Sequence, residues 1–210
     1  MSPIHRPTHR QSTCLRDYDY TQAGAYFITL VTHNRMFLFG EIVNDNMVLS
    51  AHGRIALSEW FKSSEIRQEI KLHHDEFVIM PNHIHGIVWI ASEEKSLTVD
   101  STRHSNITGK ETNLSVRAHG RAPLQADHTT FHRQPKSLSS FVAGYKAAVT
   151  KRINQLRDTP SSPVWNRNYH DRIIRNDREL NAIREYIRDN PLRWELDREN
   201  PKQRSPSHHP

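Results

Sequence analysis

Apolar residues follow two patterns along the chain: continuous runs, which favour strands, and residues at helical spacing, which favour helices. Runs rich in aromatic and β-branched residues predict strands, and these runs cover 25–32, 69–80 and 83–90. Pro81-Asn82 separates the last two runs and predicts a tight turn, which implies an antiparallel hairpin. A shorter hairpin is predicted around Asn44-Asp45-Asn46, ending at Leu49.

Apolar residues at helical spacing predict helices at 51–63 and 138–156, with Ser50 as the N-cap of the first. Asn176-Asp177 predicts the start of a last helix, and Pro191 ends it because proline cannot continue a helical hydrogen-bond pattern.

A short strand is predicted before the last helix, near Val164-Trp165 and 172–175. The elements then follow in the order strand, helix, strand, strand, helix, strand, helix. This order is typical of an α+β fold, an antiparallel sheet with helices packed on one side in a ferredoxin-like arrangement.

Polar composition sets three segments apart from the core of a predicted domain at 17–195. Residues 1–16 lack apolar periodicity and are predicted to form a flexible basic arm. Within the domain, 92–136 is a polar insertion, because 11 of its 45 residues are Ser or Thr and only seven are Leu, Val, Ile or Phe. Residues 196–210 are charged and rich in Pro and Ser, which predicts a disordered tail.

The charge balance narrows the classes of partner. The 210 residues include 29 Lys and Arg against 23 Asp and Glu, a formal net charge of +6, which suits a polyanion such as nucleic acid or an anionic membrane surface. No apolar run approaches the roughly 20 residues that cross a bilayer, and we expect no secretory signal at the basic N-terminus. These features predict a cytoplasmic protein. The single Cys14 excludes an internal disulfide and a multi-cysteine zinc site.

His83 and His85 are separated by one residue on a predicted strand. Strand side chains alternate between faces, so both imidazoles are expected on one face and Ile84 on the other. Two imidazoles on one strand can supply two ligands of a divalent metal. A structural interpretation stays open, in which one histidine is buried and hydrogen-bonded and the other is exposed.

Tyr186 lies beside the apolar stripe of the last predicted helix, and Asn190 follows four residues later on the same edge. A tyrosine hydroxyl can attack a backbone phosphorus and form a covalent phosphotyrosine, while a metal held by two histidines and an amide would polarise the phosphate. The alternative is a helix-flank tyrosine that only packs. Tyr169 beside His170 is a second candidate nucleophile.

Four stretches resemble the single-tyrosine HUH transposases, and most closely the REP-associated tyrosine transposases. They are RDYDYTQAGAYFITLVTHNR (16–35), VIMPNHIHGIVWI (78–90), SLSSFVAGYKAAVTKRIN (137–154) and VWNRNYHDRIIRNDRELNAIREYIRDNPLRW (164–194). The stretches keep the family's order and span most of the predicted core.

The resemblance implies specific roles. His83 and His85 match the metal-binding pair, Tyr186 matches the nucleophile, and Asn190 stands where many relatives have a glutamine ligand. It also implies Mg²⁺ or Mn²⁺ as cofactor, cleavage of single-stranded DNA near hairpins, a 5′-phosphotyrosine intermediate, a free 3′-OH and rejoining of strands. Imidazole ligands favour Mn²⁺ over Mg²⁺. Either a monomer or a homodimer is compatible with the resemblance.

Six cations on the later elements are candidate contacts to the DNA backbone, which would make binding salt-dependent. They are Lys146, Lys151, Arg152, Arg167, Arg172 and Arg175. Trp165 and Tyr169 are candidates for stacking on an unpaired base. Two other functions stay open beside the transposase: a non-catalytic module of the same fold that binds structured RNA or DNA, and a histidine protein that stores or senses metal.

Overall fold

An antiparallel sheet forms the centre of the computed structural model, which describes residues 18–91 and 134–203. In these residues the strands are β1 (Gly24–Val31), β2 (Gly40–Val43), β3 (Asn46–Leu49), β4 (Ile70–Lys71), β5 (Phe77–Met80), β6 (His83–Ile90) and β7 (His170–Ile174). The helices are α1 (Ala51–Ile66), α2 (Leu138–Leu156) and α3 (Asp177–Asp189). β2 and β3 pair with each other as a separate hairpin, and the other strands form the main sheet.

β1 lies in the middle of the main sheet, between β6 and β7. β4 and β5 both pair with the outer side of β6, at its two ends. The register places Thr29 of β1 opposite His85 of β6 on one side and opposite His170 of β7 on the other. All of these pairings are antiparallel, so the predicted α+β class and antiparallel sheet are confirmed.

One face of the sheet carries α1 and α2. Ile28 and Val88 form a buried core on this face with Trp60 of α1 and Tyr145 of α2. Gly86 is required where Trp60 crosses β6, because a Cβ atom there would lie only 2.5 Å from the indole ring. A larger residue at this position would push α1 away from the sheet.

The other face carries α3, whose residues Ile183 and Ile187 pack against Ala25 and Ile87. The expectation of helices on one side of the sheet therefore holds for α1 and α2 and is wrong for α3. The helical period identifies the apolar stripe of α3. Because β1 and β6 carry apolar residues on both faces, the pattern does not determine which face that stripe covers.

The ends of the elements follow the local signals. The Ser50 hydroxyl accepts a hydrogen bond from the Gly53 amide at 3.1 Å and caps α1. Asn176 caps α3 by accepting from the Glu179 amide at 2.9 Å. Asn44 and Asp45 adopt positive φ values of 49° and 62° at the turn between β2 and β3, as residues in a tight hairpin turn do.

The segment after α3 corrects the predicted tail. A 3-10 turn covers Pro191–Leu196 and another covers Pro201–Gln203, while Asp197 and Asn200 are buried. Glu199 forms an ion pair with Arg35 at 2.7 Å. The prediction of disorder is therefore wrong for 196–203. The prediction of disorder assumed that charged residues face solvent. In the structure, residues of this segment contact residues that are far away in the sequence.

The predicted arm at 1–16, the insertion up to residue 133 and the end of the tail at 204–210 lie outside the described residues. The described residues belong to one compact unit. None of their helices combines the length and the apolar character needed to cross a bilayer.

Candidate active site

His83 and His85 lie side by side on β6, on the face covered by α3. Both imidazoles are buried, at 0% and 4% exposure, which differs from the structural interpretation of one buried and one exposed histidine. Their Nε2 atoms are 3.0 Å apart. Alternation along the strand produces this arrangement, because residues two apart project from the same face.

Asn82 determines which ring nitrogen of His83 carries the proton. The Asn82 side-chain amide donates to the carbonyl oxygens of Glu199 at 2.7 Å and Arg35 at 3.3 Å. Its Oδ1 atom therefore faces Nδ1 of His83 at 2.9 Å and accepts the proton carried there. With the proton on Nδ1, the Nε2 atom of His83 presents a lone pair.

Thr29 plays the corresponding part for His85, because its hydroxyl lies 2.8 Å from Nδ1 of that residue. When the hydroxyl accepts the Nδ1 proton, Nε2 of His85 presents a lone pair as well. In that tautomer two lone pairs face each other across 3.0 Å and cannot form a hydrogen bond. A cation between them would satisfy both, and the hydrogen bonds to Nδ1 orient each imidazole for that role.

Burial also keeps both imidazoles neutral. It lowers the pKa of His85 to about 3. Burial is likewise the main cause that lowers the pKa of His83 well below its usual range, and the neighbouring His85 and the charge of Arg35 lower it further. Neutral imidazole is the form that binds metals, so the site is prepared for ligation at neutral pH.

Asp197 completes the group. Its Oδ2 atom lies 3.8 Å from Nε2 of His83, and ligand atoms of His83, His85 and Asp197 all lie within 4.8 Å of one another. Burial raises the pKa of the Asp197 carboxyl. Sequence reasoning missed this residue because it placed the tail at 196, although the apolar Trp194 three residues earlier is a signal that the chain still packs there.

Asn190 lies at the C-terminal end of α3 and is almost fully buried. Among the described residues, its Oδ1 atom finds no hydrogen-bond partner. Burial raises the pKa of both Tyr186 and Asp197, and hydrogen bonding by the Asn190 side chain partly offsets this, so the amide lies close to both groups. A buried acceptor without a donor costs about 1–3 kcal/mol, which a bound cation would remove.

Tyr186 reaches the histidines from α3. Its hydroxyl lies 3.2 Å from Nε2 of His85, and the residue is 39% exposed. The ring borders a cavity of about 640 Å³ that is also lined by His85, Asn190 and Asp197. Burial, then the charge of Asp197, raises the pKa of the phenol. The hydroxyl is therefore protonated at neutral pH and needs an acceptor before it can act as a nucleophile.

The donor set fits a divalent cation. Two neutral imidazole nitrogens and a carboxylate oxygen lie within 4.8 Å of one another, and Asn190, whose amide oxygen has no partner among the described residues, lines the same cavity. Mixed nitrogen and oxygen ligands suit Mn²⁺ and its neighbours, while the oxygen ligands also suit Mg²⁺.

Two of the three predicted DNA contacts on α2, Lys146 and Arg152, are engaged by other groups of the protein. The Lys146 ammonium donates to the carbonyl oxygens of 166, 167 and 168 at 2.9, 3.4 and 3.2 Å, and burial lowers its pKa to about 8. Arg152 pairs with Glu59 of α1 at 2.6 Å. Lys151 is exposed beside them. All three lie on α2, across the sheet from the histidines.

The other three predicted contacts lie at or near β7. Arg172 borders a cavity at Tyr186 and pairs with Glu179 at 3.1 Å. Arg167 and Arg175 are exposed. Three residues that the sequence did not single out for DNA line the main cavity: His170, Arg193 and Arg198.

The two candidate stacking residues do not reach the site. Trp165 is buried against Phe39 and Tyr145, in the core below α1 and α2, so the expectation that it stacks on a base is wrong. Tyr169 packs against the same core and lies near the Lys146 ammonium. This position separates Tyr169 from the histidine pair, which Tyr186 contacts instead.

The sequence and the fold of the chain are similar to those of known proteins. No protein-family model matches it. It is similar to the solved structure of a REP-associated tyrosine transposase bound to a REP hairpin, with 12% identity, a TM-score of 0.47 and coverage of 86% of this chain and 74% of that one. An uncharacterized protein of Haemophilus influenzae is 34% identical over 191 residues, which span 90% of this chain and 92% of that protein. Identity at this level over nearly the whole of both chains shows that this protein and the Haemophilus influenzae protein belong to one family.

Proposed function

We propose that this protein is a metal-dependent transposase or endonuclease that cuts single-stranded DNA with Tyr186. One observation carries the proposal: the Tyr186 hydroxyl lies 3.2 Å from His85 in a cavity beside the buried group of His83, His85 and Asp197. A purely packing role for Tyr186 would not explain why two neutral imidazoles and a carboxylate are buried beside it, since the burial of each polar group costs free energy.

The reaction is a transesterification. The Tyr186 oxygen attacks the scissile phosphorus, an O–P bond forms, and the bond from phosphorus to the 3′ oxygen breaks. The phenol proton passes through the neighbouring base or water to the leaving oxygen, so the products are a 5′-phosphotyrosine and a free 3′-OH. Because one phosphoester replaces another, the reverse step can join a different 3′-OH to the held strand.

His83, His85 and Asp197 would hold Mg²⁺ or Mn²⁺, with the Asn190 amide oxygen beside them. When bound, such a cation supplies Lewis-acid stabilisation of the charge on the phosphate. Asn82 and Thr29 keep both imidazoles oriented through hydrogen bonds to Nδ1. Burial raises the pKa of the Tyr186 nucleophile, and hydrogen bonding by the Asn190 side chain offsets part of that effect.

The proposed substrate is single-stranded DNA with a REP-like hairpin, following the sequence resemblance. The site supports a flexible strand, because the phenol reacts from within a cavity rather than from a flat surface. His170, Arg193 and Arg198 line that cavity, and their donors suit phosphate oxygens.

The test uses the full chain, a labelled hairpin oligonucleotide with single-stranded flanks, and Mn²⁺. We expect a covalent protein–DNA adduct on a denaturing gel, lost in Tyr186→Phe and in the presence of a chelator. Tyr169→Phe is the matched control and should retain the adduct. Hairpin binding without an adduct would reject the proposal in favour of a non-catalytic nucleic-acid module, and metal uptake without DNA binding would favour a metal-storing protein.

A further inference from the structure

A second cavity adjoins the candidate active site at Tyr186. It has a volume of about 630 Å³ and is bordered by Phe27, Arg172, Arg178 and Ile183 as well as by Tyr186. The phenol therefore stands between two cavities of similar size, the other being the one that contains His85 and Asp197. Volumes in this range are typical of small-ligand pockets. A strand that places its phosphate at Tyr186 has a neighbouring nucleotide within reach of this second cavity.

Phe27 provides an aromatic surface in that cavity. It lies on β1, paired with Ile87 on one side and Arg172 on the other, and it is only partly buried. Its ring lies nearly parallel to the His85 ring, at 24° and 5.3 Å between centroids, and nearly perpendicular to the Tyr186 ring, at 84° and 6.0 Å. These two contacts hold the Phe27 ring in a defined orientation next to the nucleophile.

The charges around Phe27 suit a nucleotide. Arg172 and Arg178 border the cavity, and Glu179 is the acidic residue on its wall, so the lining carries a net positive charge. Glu179 is already engaged by Arg172 at 3.1 Å and by the Arg175 amide at 3.0 Å. An aromatic platform with arginines beside it is the combination that single-stranded nucleic acids use, since a base stacks on the ring and the backbone pairs with the cations.

We infer that this second cavity binds the unpaired nucleobase next to the scissile phosphate, stacked on Phe27. The inference rests on the proposed function, because the scissile phosphate is placed by Tyr186. It goes beyond that function by assigning a base-binding role to Phe27 and the α3 side of the sheet. It also explains an aromatic side chain left partly exposed on the sheet surface, where stacking would remove its apolar area from water.

The test measures binding in a Tyr186→Phe background, so that cleavage does not interfere. Oligonucleotides with a single abasic site at each position around the mapped cleavage site are compared with the intact strand. We expect an abasic site at one position adjoining the cleaved phosphate to weaken binding about tenfold, within the range for loss of one base–aromatic stack. Phe27→Leu should bind intact and abasic strands equally, whereas Phe27→Trp should preserve the difference.

Phe61→Leu is the matched control, because Phe61 is a partly buried aromatic residue that stacks on His74 in the other core. It should keep the difference between the two strands. The inference is overturned if Phe27→Leu still discriminates, or if no position discriminates. The proposed function fails separately, by the absence of a Tyr186-dependent adduct in the otherwise native chain.

Discussion

The Tyr186 hydroxyl lies 3.2 Å from Nε2 of His85, although 101 positions separate the two residues in the chain. The contact joins α3 to β6 at the point where the imidazole also faces His83. The chemistry of the site therefore depends on how firmly α3 is seated on the sheet.

An ion pair between Arg184 and the buried carboxylate of Glu76 holds α3 in that position. The Arg184 guanidinium donates twice to Oε1 of Glu76, at 2.6 and 2.9 Å, and Trp89 donates to Oε2 at 2.6 Å. Glu76 is fully buried. Because Arg184 is two residues before Tyr186, this pair fixes the helix close to the nucleophile.

We predict that Arg184→Ala lowers the free energy of unfolding by about 3 kcal/mol, since it leaves a buried carboxylate without its charged partner. Chemical denaturation measures this value. Arg188→Ala removes an exposed arginine from the same helix that pairs with Asp189, and it should cost less than about 1 kcal/mol. Equal effects of the two substitutions would show that the ion pair with Glu76 does not hold α3.

Asp197→Asn should weaken divalent-metal binding at least about tenfold, because the change removes a ligand charge while keeping the shape of the side chain. Calorimetric titration with Mn²⁺ gives the affinity. Asp189→Asn is the matched control, since Asp189 pairs with Arg188 at 3.0 Å on α3, and it should bind as the native chain does. An unchanged affinity in Asp197→Asn would remove Asp197 from the ligand set.

Stability of the metal-free protein should fall as the pH is lowered from about 6.5, the ordinary pKa of histidine. Burial lowers the pKa of His85 to about 3 and that of His83 well below its usual range. Below pH 6.5 the unfolded chain therefore binds protons on these two histidines that the folded chain does not bind. The free energy of unfolding is therefore unaffected by the protonation of these histidines above pH 6.5. As the pH falls below 6.5 it decreases by up to about 1.4 kcal/mol per pH unit for each histidine.

Denaturation series in chelator at several pH values between 7.5 and 5 measure this slope. The double variant His83→Gln/His85→Gln supplies the control, because glutamine does not titrate and its slope should be shallower by the contribution of both histidines. Parallel slopes for the two proteins would contradict the prediction.

DNA binding should depend on cations at the α3 face more than on cations of α2. Arg193 and Arg198 line the main cavity, so Arg193→Ala and Arg198→Ala should each reduce the salt dependence of single-strand binding by about 0.7 in the logarithmic slope. Lys146→Ala should leave that slope unchanged, because the Lys146 ammonium donates to three carbonyl oxygens of the protein. Loss of these hydrogen bonds should lower the free energy of unfolding.

Fluorescence anisotropy at several salt concentrations, in the Tyr186→Phe background, provides the slopes. If the slope became shallower in Lys146→Ala and stayed unchanged in the two arginine variants, the original expectation that α2 faces the DNA would be restored.

Local patterns in the sequence were sufficient for the elements and for part of the site. Apolar runs predicted β1 and β6, and helical periodicity predicted the three helices, because each element repeats its own geometry within a few residues. The predicted strand at 69–80 is divided in the structure into β4, a 3-10 turn at His74–Glu76 and β5. The same alternation placed His83 and His85 on one face, and the spacing of four placed Tyr186 and Asn190 on one edge of α3.

The sequence by itself determined the helices, most of the strands and which side chains of one element share a face, since those depend on bond geometry and on neighbours close along the chain. Only the tertiary structure decided that α3 covers the face opposite α1 and α2, that Asp197 returns to the histidines, and that Phe27 borders a second cavity. These contacts join residues far apart in the chain. Their energies depend on burial and on partners that no local period encodes.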